Sequence, residues 1–280
     1  MHVQRIAAFS DGDSGGNPAG VVIADALPPA AEMQRIAAEV GYSETVFAAP
    51  LDDGWRVRYF SPESEVPFCG HATIALGAAL ARQAGDGIFA LTLNDAKITV
   101  EGRRGSERVG SERMQAALQS PPTRSAAASP ELVAAALELF GYSEDELDPR
   151  LPPAIIHGGA DHLLLALRTR VALTAMRYDL DAGRALMRRE GIVTIVLAWA
   201  ESPQRFHTRN AFASGGVYED PATGAATAAL AGYLRDLGWP HGGAIDIVQG
   251  EDMGSPSRLR AEIPDPLGSS IRVSGTARML

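Results

Sequence analysis

This chain of 280 residues contains a single cysteine, Cys69. One cysteine excludes an intrachain disulfide and a metal centre built from several thiolates. Long apolar runs are missing too, and no stretch approaches the roughly 20 apolar residues that a membrane-spanning helix needs. Residues 1–9 lack the basic and then apolar pattern of a signal peptide. We therefore expect a cytoplasmic protein without a membrane partner.

Basic residues are fewer than acidic ones, 25 against 34, and the formal net charge is −9. The basic residues form no concentrated stripe, so nucleic acid is disfavoured as a partner. The six histidines include no pair at metal-ligand spacing on one helix face, and we expect no bound metal. A small anionic ligand is still compatible with this charge, because the start of a helix attracts anions locally.

The remaining composition is that of a globular protein, with 46% apolar and 21% charged residues. Strand-like and helical segments alternate along the chain, with a helix predicted at 130–140 and a returning strand at 270–275. The Ala- and Leu-rich helix predicted at 72–82 has almost no polar face, so we expect it to be buried on all sides. Residues 120–129 are rich in Pro, Ser and Ala, which predicts a linker or domain crossing.

Two short segments far apart in the chain look like two copies of one helix-start motif. Segment 67–73 reads PFCGHAT and segment 219–225 reads EDPATGA. Each places a proton-transferring side chain, His71 or Asp220, near the start of an Ala-rich helical run, where unpaired N–H groups hold anions. An offset of 153 lays residues 71–85 over 224–238, with small residues and a Gly stop in both. The repeated order predicts two pseudo-symmetric halves.

Together with segments 16–20 (GNPAG) and 43–45 (SET), these pieces resemble the PhzF-like family. That family is named for a phenazine-biosynthesis isomerase and is related in fold to diaminopimelate epimerase. The resemblance implies an α+β fold of two pseudo-symmetric domains, each a β-sheet or barrel wrapped around a central helix, and often a homodimer. We place one domain at 1–119, joined by the C-terminal strand 268–280, and the other at 120–267.

The resemblance also implies chemistry. In the phenazine enzyme a glutamate takes a proton from carbon and delivers it elsewhere on the same ring, without a metal or an organic cofactor. We therefore expect a cofactor-independent isomerase that shifts a proton at a carbon of a small carboxylate or amino-acid-like substrate. By this resemblance the catalytic residues are Glu44, His71 and Asp220, and the substrate-binding residues are Asn17, Gly70, Thr223, Gly224 and Ala225.

One position departs from the family, and it keeps other functions open. Ala225 stands where the family commonly has Ser, so a hydroxyl that binds substrate is missing. The related epimerases use two cysteines; Cys69 lies at the first place, but Pro221 stands at the second, so racemisation by two thiols is not supported. A racemase or epimerase of a small amino or hydroxy acid, and a non-catalytic relative that only binds small molecules, are the alternatives.

Some of these residues also have an ordinary structural interpretation. Asp220 is of a type preferred as a helix N-cap, and Glu44 at a strand start is of a type usually exposed to solvent. Asn17 in Gly-Asn-Pro is typical of a turn. Cys69 is interpreted as a wall or core residue rather than a nucleophile, because the sequence shows no basic partner for it.

Overall fold

The computed structural model describes residues 1–105 and 113–280. The strands in this part of the chain are β1 Gln4–Ala8, β2 Asn17–Ile23, β3 Thr45–Leu51, β4 Gly54–Phe60, β5 Glu65–Val66, β6 Gly87–Thr92, β7 Lys97–Arg104, β8 Arg113–Pro122, β9 Arg124–Ala127, β10 Ala154–His157, β11 Asp161–Ala166, β12 Thr194–Ser202, β13 Arg205–Phe212, β14 Val217–Asp220, β15 Ala244–Gln249, β16 Ser257–Glu262 and β17 Ser270–Met279. The α-helices are α1 Ala30–Val40, α2 Gly70–Ala84, α3 Pro130–Phe140, α4 Arg170–Thr174, α5 Leu180–Glu190 and α6 Gly224–Asp236.

Contacts divide the chain into two compact units. The first unit comprises residues 1–119 and 273–280, and the second comprises residues 120–272. None of the helices in the described part of the chain has the length and apolar character that crossing a membrane requires.

The strands of the first unit form a closed ring. Antiparallel pairs join β1 to β2, β3 to β4, β6 to β7 and β7 to β8, and parallel pairs join β2 to β3 and β4 to β6. Strand β17 pairs with both β1 and β8, which closes a barrel of eight strands. A closed barrel leaves none of these strands as an open edge.

Helix α2 fills this barrel. Its residues 70–81 are all buried, and it contacts β1, β2, β3, β6 and β7. A Cβ on Gly102 of β7 would lie 2.1 Å from the carbonyl oxygen of Gly77 in α2. Only glycine at position 102 therefore lets the helix approach the strand this closely. The prediction that this helix is buried on all sides is confirmed, although it extends beyond 72–82 at both ends.

The second unit repeats the plan with additional helices. Neighbouring strands pair in the order β9, β10, β11, β12 and β13, and β13 then pairs with both β14 and β15, with β16 next to β15. Helix α6 is buried through most of its length and contacts β9, β10, β11, β15 and β16. A separate core, which includes Leu165, Leu186 and Phe140, joins the sheet to α3, α4 and α5.

The prediction of a linker or domain crossing at 120–129 is wrong as regards a linker, although the boundary between the two units does fall at 119/120. These residues lie largely in the end of β8 and in β9, and β9 pairs with β10 through Ser125 opposite Ile156. Small residues favour loops only weakly, and pairing with a neighbouring strand outweighs that preference. The helix predicted at 130–140 is confirmed as α3, with the Ser129 side chain accepting the N–H of Leu132.

Candidate active site

Glu44 is positioned by the parallel pairing of β2 and β3. It directly precedes β3, and its carbonyl oxygen accepts the N–H of Gly20 in β2 at 3.2 Å. A Cβ on Gly20 would lie 2.6 Å from Oγ1 of Thr45, so glycine is required for this close approach. Glu44 is only 8% exposed. The interpretation of Glu44 as a solvated strand-start carboxylate is therefore wrong.

The carboxylate of Glu44 is buried with one oxygen unpaired. Its Oε2 finds no hydrogen-bond partner among the described residues, and it lies 3.4 Å from Nε2 of His71. The hydroxyl oxygen of Ser43 is 3.5 Å from the same nitrogen. A buried oxygen that lacks a partner is costly unless another group supplies the missing bond. Glu44 Oε2 therefore has an unmet hydrogen-bonding capacity beside His71.

His71 and Cys69 stand together at the start of α2. Cys69 is the N-cap residue, with an extended backbone, and His71 lies in the first turn, 5% exposed. The sulfur of Cys69 is 3.4 Å from Nδ1 of His71. The sequence interpretation that Cys69 has no basic partner is wrong, because the backbone changes direction at the N-cap and brings the two side chains together.

Hydrogen bonds between neutral groups stabilise the start of α2. The hydroxyl of Thr73 donates to the carbonyl oxygen of Cys69 at 2.7 Å, and the hydroxyl of Tyr59 lies 2.7 Å from the same Thr73 oxygen. Because the Thr73 proton is already committed, Tyr59 donates to it. Burial raises the pKa of Tyr59 well above its ordinary value, so this tyrosine stays protonated.

A second cluster surrounds the start of α6. Asp220 is the last residue of β14, is 6% exposed, and accepts a hydrogen bond at Oδ2 from the hydroxyl of Thr223. The N-cap of α6 is Thr223, so the interpretation of Asp220 as that helix's N-cap is wrong. Gln249, at the end of β15, donates to the carbonyl oxygen of Asp220 at 2.6 Å and accepts the N–H of Thr223 at 3.2 Å. Sequence reasoning missed Gln249, which no recognisable spacing marks.

A buried ion pair supports this second cluster. The guanidinium of Arg209 donates to both carboxylate oxygens of Glu219, the residue before Asp220, with distances of 3.0 and 2.5 Å. It also donates to the carbonyl oxygen of Thr174 at 2.9 Å. Burial lowers the pKa of Arg209, but the hydrogen bonds and attraction to Glu219 outweigh it, so that the pKa is raised overall.

The remaining predicted residues lie on β2, whose Gly20 bonds to Glu44, and in the first turns of α2 and α6. Asn17 begins β2, opposite Ala8 of β1, and is buried rather than held in an exposed turn. Gly70 and Gly224 are the first residues of α2 and α6, and Ala225 is half-buried in the first turn of α6. The structure thus brings Glu44 to His71 in the first unit and Asp220 to Thr223 in the second.

The helix bounds revise the register of the duplication. Gly70 and Gly224 begin the two helices and lie 154 residues apart, one more than the offset read from the sequence. Cys69 then corresponds to Thr223 rather than to Pro221. The carbonyl oxygens of both N-cap residues accept the same bond at 3.0 Å, from Thr73 in α2 and from Thr227 in α6. The second helix start therefore carries a hydroxyl where the first carries a thiol.

One group of side chains in the described part of the chain has the composition of a metal site. Glu44, Cys69 and His71 are all buried, and each offers one donor atom within 4.8 Å of the others. These three side chains come from the residue before β3 and from the start of α2.

Comparison with known proteins gives consistent matches over the whole chain. A family model described as phenazine biosynthesis-like protein matches residues 6–280. The chain is 31% identical to the uncharacterized isomerase YddE of Escherichia coli K12, covering 99% of this chain and 96% of that protein. It is 32% identical to the trans-2,3-dihydro-3-hydroxyanthranilate isomerase of Pseudomonas aeruginosa, covering 96% and 94%.

Among solved structures, the Bacillus anthracis phenazine biosynthesis protein of the PhzF family matches with a TM-score of 0.84 at 22% identity, covering 99% of this chain and 96% of that one. This likeness confirms the predicted fold class.

Proposed function

This chain belongs to the family of phenazine biosynthesis-like proteins and is an isomerase, and we propose that it shifts a proton at a carbon of a small carboxylate-bearing substrate. The observation that supports this most directly is the buried, unpaired Oε2 of Glu44, 3.4 Å from His71. A base that removes a proton from carbon needs an accessible lone pair shielded from water. Oε2 of Glu44 offers a lone pair that is shielded from water.

We propose that Glu44 is the acid/base and that His71 assists it. With its Nε2 beside the carboxylate, His71 can hold the second proton position or donate to an oxygen of the substrate. The N–H groups at the start of α2 have no intrahelical partner, and with the helix dipole they favour a substrate carboxylate near Gly70. Proton transfer by this pair requires no cofactor.

The second cluster completes the proposal. Asp220 is proposed as a further catalytic carboxylate, and its bond from Thr223 keeps its oxygens oriented. The N–H groups at the start of α6 are proposed to bind substrate, in the same way as those of α2. The proposed substrate-binding residues are Asn17, Gly70, Thr223, Gly224 and Ala225.

Epimerisation makes a different demand on the chain. It needs a second proton-transferring group for the opposite face of the carbon, and the residue of α6 that corresponds to Cys69 is Thr223. A threonine hydroxyl is a poor base because its oxygen holds its proton at neutral pH. One-base isomerisation is therefore the function that these residues favour.

The test is exchange of carbon-bound hydrogen in deuterated water. Trans-2,3-dihydro-3-hydroxyanthranilate, the compound in the name of the Pseudomonas relative, is the first probe, followed by a panel of small amino and hydroxy acids. We expect the parent to incorporate deuterium into one of them, and Glu44→Gln to lower the rate by about 10²–10⁴-fold. Mass spectrometry and NMR report the position and stereochemistry of the label.

The matched control is Glu39→Gln, because Glu39 is an exposed glutamate of the same unit, paired with Arg35 in a surface salt bridge. It should exchange at the parent rate. Exchange in Glu44→Gln at the parent rate would contradict the assignment of the base. Tight binding of a panel compound with no exchange in the parent would favour the non-catalytic alternative, and loss of stereochemical purity would favour epimerisation.

A further inference from the structure

The thiol of Cys69 is not used by the proposed proton shift, yet it points to the same place as the acid/base pair. The donor atoms of Cys69, His71 and Glu44 are a sulfur, an imidazole nitrogen and a carboxylate oxygen, all within 4.8 Å of one another. This is the ligand set that zinc prefers, and three protein ligands leave a fourth position open.

The distance between the coordinating atoms of His71 and Glu44 is that of a tetrahedral zinc site. Ordinary zinc–ligand lengths place a coordinating nitrogen and oxygen about 3.4 Å apart, and a nitrogen and sulfur about 3.6 Å apart. Nε2 of His71 is 3.4 Å from Oε2 of Glu44 and 4.0 Å from the sulfur of Cys69. The sulfur lies nearer to Nδ1 of the same ring, at 3.4 Å, so coordination through Nε2 requires the Cys69 side chain to move towards Nε2.

The charges of the three side chains also suit a divalent cation. Oε2 of Glu44 is buried with no hydrogen-bond partner among the described residues, so this oxygen lacks an interaction that a cation would supply. A thiolate and a carboxylate together carry two negative charges, and a neutral imidazole adds none. A divalent cation therefore makes the site neutral, while the proton of the Cys69 thiol is released to solvent.

We propose that Glu44, Cys69 and His71 bind a thiolate-preferring divalent cation of the zinc type. The cation binds as an inhibitor rather than as a resident cofactor, because it occupies the lone pair of the proposed base; this consequence rests on the proposed function. The binding itself is independent of any substrate.

Cobalt(II) is the probe, because its thiolate complexes absorb in the near ultraviolet and it adopts zinc's geometry. Since Cys69 is the only cysteine in the chain, such a band reports this sulfur alone. Titration of the reduced, metal-free protein should give the band at one equivalent, and Zn²⁺ should displace it. Cys69→Ala and Cys69→Ser should abolish it, while Glu44→Gln and His71→Gln should each lower cobalt affinity by at least about tenfold.

The matched control is His157→Gln, which removes a histidine paired with the carboxylate of Asp161 at 2.7 Å but leaves Cys69 intact; its cobalt affinity should equal the parent's. Circular dichroism confirms that each variant is folded. Absence of the band in the parent would overturn the site, as would an affinity within about twofold of the parent in either Glu44→Gln or His71→Gln. No substrate is used, so loss of exchange in Glu44→Gln with cobalt affinity intact would overturn the cation site alone.

Discussion

The starts of α2 and α6 share a backbone plan but are stabilised by different chemistry. Behind α2 the contacts are neutral, from the hydroxyl of Tyr59 to that of Thr73 and on to the backbone of Cys69. Next to α6 the buried pair of Arg209 and Glu219 carries full charges. Duplication of the fold therefore did not duplicate the chemistry: the first start presents an unpaired carboxylate oxygen beside a histidine, and the second orients its aspartate by hydrogen bonds.

The largest stability effect is expected where charge is buried. Arg209→Met leaves Glu219 without its partner and should lower the free energy of unfolding by about 3–5 kcal/mol. The double variant Arg209→Met, Glu219→Leu should recover much of that loss, because neither charge is then left buried alone. Urea unfolding of Arg209→Met, Glu219→Leu and the double variant measures the coupling between the two charges. A loss in the double variant equal to the sum of the two single losses would show that the charges do not depend on each other.

The next largest effect on stability is expected at His162, a buried histidine of the second unit. His162 lies 2.7 Å from the hydroxyl of Thr194, and burial lowers its pKa from 6.5 to about 4. Below pH 6.5 the unfolded chain binds a proton at this residue, whereas the folded protein does so only near pH 4. Stability should therefore fall by about 3 kcal/mol between pH 7 and pH 4 on this account.

His162→Gln should remove that part of the pH dependence, as measured by urea unfolding at several pH values. The exposed His2→Gln serves as the control and should retain the parent's slope. A slope in His162→Gln equal to that of the parent would mean that other groups carry it.

The smallest effect is expected behind α2. Tyr59→Phe removes one neutral hydrogen bond while Thr73 still donates to the backbone of Cys69, so the free energy of unfolding should fall by only about 1 kcal/mol. A loss as large as that of Arg209→Met would mean that the two helix starts are held with similar strength and would remove the contrast between them.

Local sequence predicted much of this fold, because the helices carry recognisable sequence signals. Helix α3 begins after a capping serine and a proline, and the Ala-rich pattern of α2 is that of a helix without a polar face. Residues 120–129 could not be assigned in the same way, because their strand structure depends on pairing with residues some thirty positions away.

For the candidate site, the sequence indicated residues but not their partners. Glu44 and His71 were expected as site residues on the strength of family motifs. Their contact joins the residue before β3 to the first turn of α2, which meet only in the folded barrel. The basic partner of Cys69 was missed because its contact with His71 depends on the direction of the chain at the N-cap. Gln249 was missed because its role comes from two backbone bonds, which no sequence pattern records.

The strand that closes the first barrel comes from the far end of the chain. Residues 1–119 are translated first, but their ring of strands lacks β17 until residues 273–280 appear. At ordinary rates of synthesis the intervening 153 residues take roughly 8–30 s. During that interval β1 and β8 lack the strand that pairs with both of them in the folded barrel, and unpaired strand edges can join neighbouring chains. The biosynthesis of this protein therefore includes a vulnerable period whose length is set by the size of its second unit.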